Sequence, residues 1–365
     1  PCDAFHFDIH YMDQYKIYTW DEDRFPDPAA MISKMGKEGI KAVTIIDPGI
    51  KKDPEYKLYQ EGMENDYFCK YLDGKVFIDK VWPGNCAFPD FTQAKVRNWW
   101  SGLQQDFVEL GVKGIWNDMN EPAVFNEEDT MDLDVMHQND GDSGTHRRFH
   151  NLYGLLEDQA TYKGLKESLD NERPFVLTRA GFAGIQRYSA VWTGDNRSFW
   201  DNLKLAMPML MNMGMSGISF CGTDVGGFTG NSNGELLCRW TQLGAFSPFF
   251  RNHCEVRAIS QEPWSFGKKY EKIIKKYIEL RYKFITHLYN LFYQASKTGI
   301  PVMRPLIMEF AEDEECQNLS DQFMIGDSIM IAPVYQPDKD KRMLYLPEGK
   351  WFDFWTKEIY HGKKH

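Results

Sequence analysis

The segment GIWNDMNEPAVF, which runs from Gly114 to Phe125, holds the side chains best suited to chemistry. It places the carboxyl groups of Asp118 and Glu121 just beyond an apolar run that is typical of a buried strand. Hydrolysis of a glycosidic bond needs two carboxyl groups, one ionised and one able to donate a proton. In a retaining mechanism the ionised group attacks the anomeric carbon and should lie on a rigid strand end. Asp118 fits that position.

A second carboxyl group is offered by the segment WTGDNRSFW, in which Asp195 follows another apolar run. Aromatic surroundings and a nearby carboxylate both raise the pKa of a carboxyl group, as a general acid requires. Asp8, Asp47 and Asp224 also follow apolar runs. Composition and spacing therefore leave the pairing of the two catalytic carboxyls open.

The elements that would position these groups alternate along the chain. Seven short apolar runs are separated by helix-like stretches, and the runs end at Asp8, Asp47, Asp118, Arg179, Asp195, Asp224 and His253. This alternation predicts parallel strands joined by crossover helices. A closed barrel brings the ends of its parallel strands around one mouth, where barrel active sites lie. We expect an α/β fold, a (β/α)8 TIM barrel over residues 1–299, with strands 2 to 8 in this chain and the first strand before residue 1.

Apolar spacing of about 3.6 residues predicts helices over 29–38, 94–110 and 200–213, and a long closing helix over 270–297. After Gly299 short alternating runs lie among Pro, Gly and Asp, which predicts a small antiparallel β-sandwich domain over 300–365, expected to be incomplete. Residues 133–148 are polar and predict a loop with little order. A metal site at His137, His146 and His150, in or near this loop, is not expected.

The charge balance limits the classes of molecule that the chain is expected to bind. The chain has 42 Lys and Arg against 53 Asp and Glu, a net charge of −11, without a basic run, so nucleic-acid binding is not expected. No apolar run reaches the ~18 residues of a membrane helix. Seven cysteines without a Cys-x-x-Cys pair indicate free thiols in a reducing compartment, which favours a cytoplasmic location. Neither a cofactor nor a metal is expected.

The motifs, taken in order, resemble those of glycoside hydrolase family 31. GIWNDMNEPAVF resembles the nucleophile signature of the family, and the resemblance covers nearly the whole chain. The other matching segments are FDIHYMD, VTIIDPGI, VWPGNCAFPDF, LTRAGFAG, WTGDN, FCGTDVGGF and FFRNH. The resemblance implies a retaining, exo-acting α-glucosidase that takes terminal glucose from maltose- or isomaltose-type oligosaccharides.

The resemblance also implies a role for each matched residue. Asp118 would be the nucleophile and Asp195 the acid/base, with their carboxyl groups roughly 5–5.5 Å apart. Asp8, Arg179 and His253 would hydrogen-bond the hydroxyls of the terminal glucose. The residues that would line the pocket are Ile9, Ile45, Trp82, Trp116, Trp192 and Phe228.

Several alternatives stay open at this point. The resemblance also fits transfer of the glucosyl unit, action on α-xylosides, or a non-catalytic carbohydrate-binding fragment. Family members carry an N-terminal β-sandwich domain and a first barrel strand, which we expect in the full protein, and the sequence leaves a homo-oligomer open. Glu121 is expected to support the nucleophile or its loop, and Asp224 to pair with Arg251.

Overall fold

The computed structural model describes residues 1–363. These residues form two compact units, Pro1–Val191 and the part of the chain from Trp192 onward. None of the helices within 1–363 combines the length and the apolar character needed to cross a bilayer.

The first unit begins with alternating strands and helices. They are β1 (Ala4–Phe7), α1 (Pro28–Lys37), β2 (Lys41–Ile46), β3 (Ile50–Lys51), α2 (Lys57–Glu64), β4 (Ile78–Val81), β5 (Gly84–Ala87), α3 (Ala94–Gly102), α4 (Gln104–Glu109) and β6 (Gly114–Asn117). The remaining elements are β7 (Met136–His137), β8 (Gly144–Thr145), α5 (His146–Phe149), α6 (Tyr153–Ser168), β9 (Val176–Thr178) and β10 (Ala190–Trp192). The single helix predicted over 94–110 is divided at Leu103 into α3 and α4.

A parallel sheet forms the centre of this unit, with the strand order β1-β2-β6-β9-β10. Its central strands β2 and β6 are buried on both faces, as in sheets covered on both sides. All four residues of β6 are buried, as are five of the six in β2. Because parallel strands end at the same edge, the residues that follow β1, β2, β6 and β9 share that edge. These residues are Asp8, Asp47, Asp118 and Arg179.

Helix α6 packs against the sheet through a polar buried face that includes Glu157, Asp158 and Thr161. A glycine permits its close approach to α3. A Cβ atom on Gly164 would lie 2.1 Å from the backbone oxygen of Ser101, a separation that no side chain can adopt. The absence of a side chain at Gly164 therefore allows α6 to lie close to α3.

The segment from 133 to 148 differs from the disordered loop that its polarity predicts. It contains β7, β8 and most of α5, and the side chains of His137 and His146 are buried. Hydrogen-bond contacts of 3.0 Å join His137 Nε2 to His146 Nδ1 and His146 Nε2 to His150 Nδ1. Buried polar contacts therefore contribute to the order of this segment.

The second unit contains α7 (Trp200–Met215), β11 (Cys221–Gly222), β12 (Asp224–Val225), α8 (Gly234–Gly244), β13 (Arg251–Asn252), α9 (Lys268–Thr298), β14 (Met303–Pro305), β15 (Phe323–Ile325), β16 (Ile329–Ile331), β17 (Lys350–Phe352) and β18 (Ile359–His361). Strands β12 and β13 are parallel, whereas β14-β15-β16 and β17-β18 are antiparallel. The predicted long helix and the change to antiparallel strands after Gly299 are thus observed. The domain boundary at 299/300 stays a prediction.

Candidate active site

Asp118 lies at the end of β6, where the backbone is held from both neighbouring strands. Its N–H donates to the carbonyl of Ile46, and the N–H of Arg179 donates to the carbonyl of Asn117. The side chain of Arg179 returns to the same place, with its Nη1 atom 3.3 Å from Asp118 Oδ1. This guanidinium favours the ionised form of the carboxylate, which is the form that can attack carbon.

Glu121 holds the guanidinium of Arg179 in a two-point contact. Arg179 Nε and Nη2 donate to the two carboxyl oxygens of Glu121 at 2.8 and 2.9 Å. Such paired contacts fix the plane of a guanidinium as well as its position. Glu121 therefore acts on Asp118 through Arg179, in the supporting role that its position predicts.

Asp47 and Asp8 lie at the same edge of the sheet. Asp47 is buried, and its pKa is raised well above the usual value, first by burial and then by the charge of Asp118, with Arg179 opposing. Asp8 Oδ1 accepts a hydrogen bond of 2.7 Å from the N–H of Ile9. A cluster of three acids with one arginine thus follows the strand ends.

The apolar residues predicted to line a pocket fall into two groups in this unit. Ile9, Ile45 and Trp116 are buried. Trp82 is 48% exposed and packs edge-on against Phe125, with ring centroids 5.1 Å apart. Phe125 ends the segment that contains Asp118, and it was not among the predicted lining residues. Its position in the same segment as Asp118 is the feature of the sequence that could have identified Phe125 as a neighbour of Trp82.

The second unit gathers the remaining predicted residues. Asp195 is exposed. The next residue, Asn196, accepts two hydrogen bonds. Its backbone oxygen accepts from Phe228 N–H at 2.8 Å, and its Oδ1 accepts from Asp224 N–H at 3.1 Å. Phe228 in turn packs against His253, with ring centroids 5.0 Å apart. Hydrogen bonds thus tie the Asp195 loop to the loop of a predicted pocket wall.

Arg251 and Asp224 form the buried ion pair that the sequence predicts, at 2.8 Å. The Arg251 guanidinium also lies over the Trp192 ring, 5.1 Å from its centroid. Burial, and then the charge of Arg251, lower the pKa of His253 to about 2. His253 is consequently a neutral imidazole over the working range of most enzymes, able to donate one hydrogen bond and accept another.

The predicted residues are therefore assembled as two groups, one in each unit. Asp8, Asp118 and Arg179 are brought together in the first, and Trp192, Phe228 and His253 in the second. The separation of 5–5.5 Å expected between the carboxyls of Asp118 and Asp195 stays a prediction.

A polar cluster outside the candidate active site has ligand atoms spaced closely enough to hold a metal ion. Within 1–363 it consists of Cys69, Asp90 and His137, all buried. Both Asp90 oxygens already accept hydrogen bonds, among them contacts of 2.5 Å from Thr92 Oγ1 and 2.7 Å from Gln138 N–H. His137 Nδ1 lies 3.0 Å from the same carboxylate. Internal hydrogen bonds account for this arrangement.

Two family models match almost the entire chain. Residues 1–291 match the TIM-barrel domain of glycosyl hydrolases family 31, and residues 299–365 match the C-terminal domain of the same family. The chain belongs to glycoside hydrolase family 31. The chain therefore contains the TIM-barrel domain of that family, of which the described residues form an open parallel sheet, followed by the family's C-terminal domain.

Known family members are similar over nearly the whole chain. Alpha-glucosidase 2 of Bacillus thermoamyloliquefaciens is 57% identical over 362 residues, which are 99% of this chain and 46% of that protein. The crystal structure of glucosidase II alpha subunit, Glc1Man2-bound, superposes with a TM-score of 0.95 at 38% identity, over 99% of this chain and 40% of that one.

A family 31 dextranase of Flavobacterium johnsoniae, complexed with glucose, gives a TM-score of 0.93 at 33% identity, over all of this chain and 46% of that one. The chain thus spans less than half the length of these relatives.

Proposed function

We propose that the protein is a retaining, exo-acting α-glucosidase that removes terminal α-linked glucose from oligosaccharides. The observation that carries this proposal is the position of Asp118 at a parallel strand end, 3.3 Å from the guanidinium of Arg179. The similarity to a protein named alpha-glucosidase 2, at 57% identity, supports it. Because the chain spans only part of its relatives, the activity is proposed for the whole protein.

In the proposed reaction Asp118 supplies the nucleophilic oxygen and Asp195 the proton. The carboxylate of Asp118 attacks the anomeric carbon, the glycosidic C–O bond breaks, and Asp195 protonates the departing oxygen. Asp195 then accepts a proton from water, whose oxygen attacks the same carbon and releases Asp118. Two inversions at one carbon retain the configuration of the sugar.

Asp8, Arg179 and His253 are the proposed hydrogen-bonding partners of the terminal glucose. Asp8 and Arg179 offer a carboxylate and a guanidinium for its hydroxyls, and the neutral imidazole of His253 offers a donor and an acceptor. Flat rings such as Trp116, Trp192 and Phe228 suit the apolar faces of a pyranose. Exo-action, the removal of one terminal glucose at a time, is part of this proposal and is supported by the resemblance of these residues to those of the family.

The decisive experiment is to trap the intermediate on the full-length protein. A 5-fluoro-α-glucosyl fluoride should label the parent at Asp118, as peptide mass spectrometry would report, and should leave an Asp118→Asn variant unlabelled. Asp106, exposed on α4, provides a control variant, Asp106→Asn, that should label like the parent. Labelling of a different carboxylate would contradict the assignment.

The linkage is a second question, and the similarity to a dextranase favours testing α-1,6 bonds. We propose that isomaltose-type substrates are accepted as well as maltose-type ones. Initial rates on maltose and isomaltose, together with product analysis, would separate hydrolysis from glucosyl transfer, and an aryl α-xyloside would test the xylosidase alternative. The N-terminal β-sandwich and first barrel strand of the full protein remain predictions. Comparing the activity of residues 1–365 with that of the full-length protein would test whether the remainder of the protein is needed.

A further inference from the structure

Helix α6 carries two adjacent buried acids, Glu157 and Asp158, beneath the strand end that bears Asp118. Both side chains are fully buried. No ion pair to either acid is found among residues 1–363. Burying carboxyl groups on a helix is costly unless they are hydrogen-bonded or uncharged. Their presence needs a physical explanation that apolar packing does not supply.

Asp158 is connected to the backbone of the candidate nucleophile through one side chain. Its Oδ1 atom accepts a hydrogen bond of 2.6 Å from Nδ2 of Asn117. Asn117 is the last residue of β6, and Asp118 follows it directly. The same Nδ2 also donates to Thr161 Oγ1 at 3.2 Å, one turn further along α6. The amide of Asn117 is thus held by two residues of one helix.

The backbone around Asn117 is held at the same time from both sides. The carbonyl of Asn117 accepts from Arg179 N–H at 3.2 Å, and the N–H of Asp118 donates to the carbonyl of Ile46 at 3.0 Å. These two bonds fix the strand end within the sheet, whereas the Asp158 contact fixes it toward the helix. Together they leave the backbone of Asp118 little freedom to move.

The charge state of Asp158 suits this contact. Burial raises its pKa to about 8, against the opposing hydrogen bond of Asn117. Burial and the neighbouring Asp158 likewise raise the pKa of Glu157. The raised pKa of Asp158 favours its uncharged form, in which it still offers an acceptor oxygen to Asn117.

We propose that Asp158 is a positioning residue, which fixes the strand end from which Asp118 projects by accepting the hydrogen bond of Asn117. The inference rests on the proposed function, because it takes Asp118 as the nucleophile. A misplacement of about 1 Å at a reacting group can lower a rate by as much as about 100-fold. Loss of the contact should therefore affect the chemical step rather than substrate affinity.

The test compares Asp158→Asn with Asp158→Ala in the full-length protein. The asparagine keeps the Oδ1 acceptor and is uncharged, so kcat on an aryl α-glucoside should stay within about threefold of the parent. The alanine removes the acceptor, and kcat should fall at least about tenfold while KM changes less than about twofold. Tyr153→Phe is the matched control, because Tyr153 is buried on the same helix and its hydroxyl has no hydrogen-bond partner in 1–363.

A second measurement tests how well ordered the strand end is, without any substrate. Hydrogen–deuterium exchange in peptides covering 114–120 and 176–180 should be faster in Asp158→Ala than in the parent, and unchanged in Asp158→Asn and Tyr153→Phe. Parent-like kcat in Asp158→Ala, or faster exchange spread evenly over the protein, would overturn the positioning role. A parent protein that is inactive on all α-glucosides would refute the proposed function, while local exchange would still decide whether Asp158 orders this strand end.

Discussion

The Nη1 atom of Arg179 lies 3.3 Å from the Oδ1 atom of Asp118, although the two residues are 61 positions apart and follow neighbouring parallel strands. The register of β6 and β9 produces this proximity, because Asn117 and Thr178 are paired and each is followed directly by one of the two residues. The position of the charge beside the carboxylate is therefore set by the sheet rather than by a flexible loop.

Replacing Arg179 by lysine should lower kcat/KM by about 10- to 100-fold. A lysine cannot reproduce the two-point contact with Glu121 while also remaining beside Asp118. One charge-assisted hydrogen bond contributes roughly 1.5–3 kcal/mol, and 1.4 kcal/mol corresponds to a tenfold change in rate. Steady-state kinetics on an aryl α-glucoside would measure the change. Arg187→Lys, at an exposed position, is the control, and equal rates for Arg179→Lys and the parent would contradict the argument.

Removing Arg251 should destabilise the second unit strongly. In Arg251→Met the buried carboxylate of Asp224 loses its ion-pair partner at 2.8 Å, and breaking such a pair costs about 3–5 kcal/mol. Denaturant unfolding followed by tryptophan fluorescence would measure the loss. The double variant with Asp224→Leu removes both charges and should recover part of the stability. If the double variant were no more stable than Arg251→Met, an unpaired charge would not be the cause.

Acid should destabilise the protein through His146. Burial, followed by the charges of His137 and His150, lowers the pKa of His146 from 6.5 to about 3. The unfolded chain then binds a proton that the folded chain does not, so the contribution is present above pH 6.5 and is lost as the pH falls toward 3.

The slope for one such proton is about 1.4 kcal/mol per pH unit. Melting temperatures between pH 7 and pH 4 should decline more steeply in the parent than in His146→Asn. His361→Asn, at an exposed position of β18, should follow the parent. Parallel curves for the parent and His146→Asn would show that this histidine is not responsible.

Substituting Gly164 by alanine should be destabilising, by about 1–3 kcal/mol. The new Cβ atom would lie 2.1 Å from the backbone oxygen of Ser101, which forces α3 and α6 apart. Gly36→Ala is the matched control, because Gly36 lies in α1 with open space around its Cβ position. That change should stabilise the protein by up to about 1 kcal/mol, since alanine favours a helix over glycine. Similar unfolding midpoints for the two variants would contradict this account.

The strands and long helices could be predicted because their signals are apolar and periodic. The runs that end at Asp47 and Asp118 are buried on both faces, so their composition alone indicates parallel strands. The motif that contains Asp118 also predicts a supporting role for Glu121, and the structure shows Glu121 holding Arg179 through two hydrogen bonds.

The polar parts of the interior could not be predicted in the same way. The segment at 133–148 is ordered by His137 and His146, and its anchor, Asp90, lies more than 40 residues earlier in the chain. The buried face of α6 carries Glu157 and Asp158, residues that in most helices face water. Hydrogen bonds between residues so far apart in the sequence produce no periodic pattern from which they could be predicted.

The two-point contact between Glu121 and Arg179 has a consequence for the proposed covalent intermediate. When Asp118 is bonded to the sugar it is an ester and carries no charge, so Arg179 would lose the anion beside it. Glu121 remains as the counter-ion of Arg179 throughout, at 2.8 and 2.9 Å. The summed charge of Asp118, Glu121 and Arg179 then changes from −1 to zero as the intermediate forms. Glu121 thus compensates the charge of Arg179 at every stage, next to the developing positive charge of the sugar.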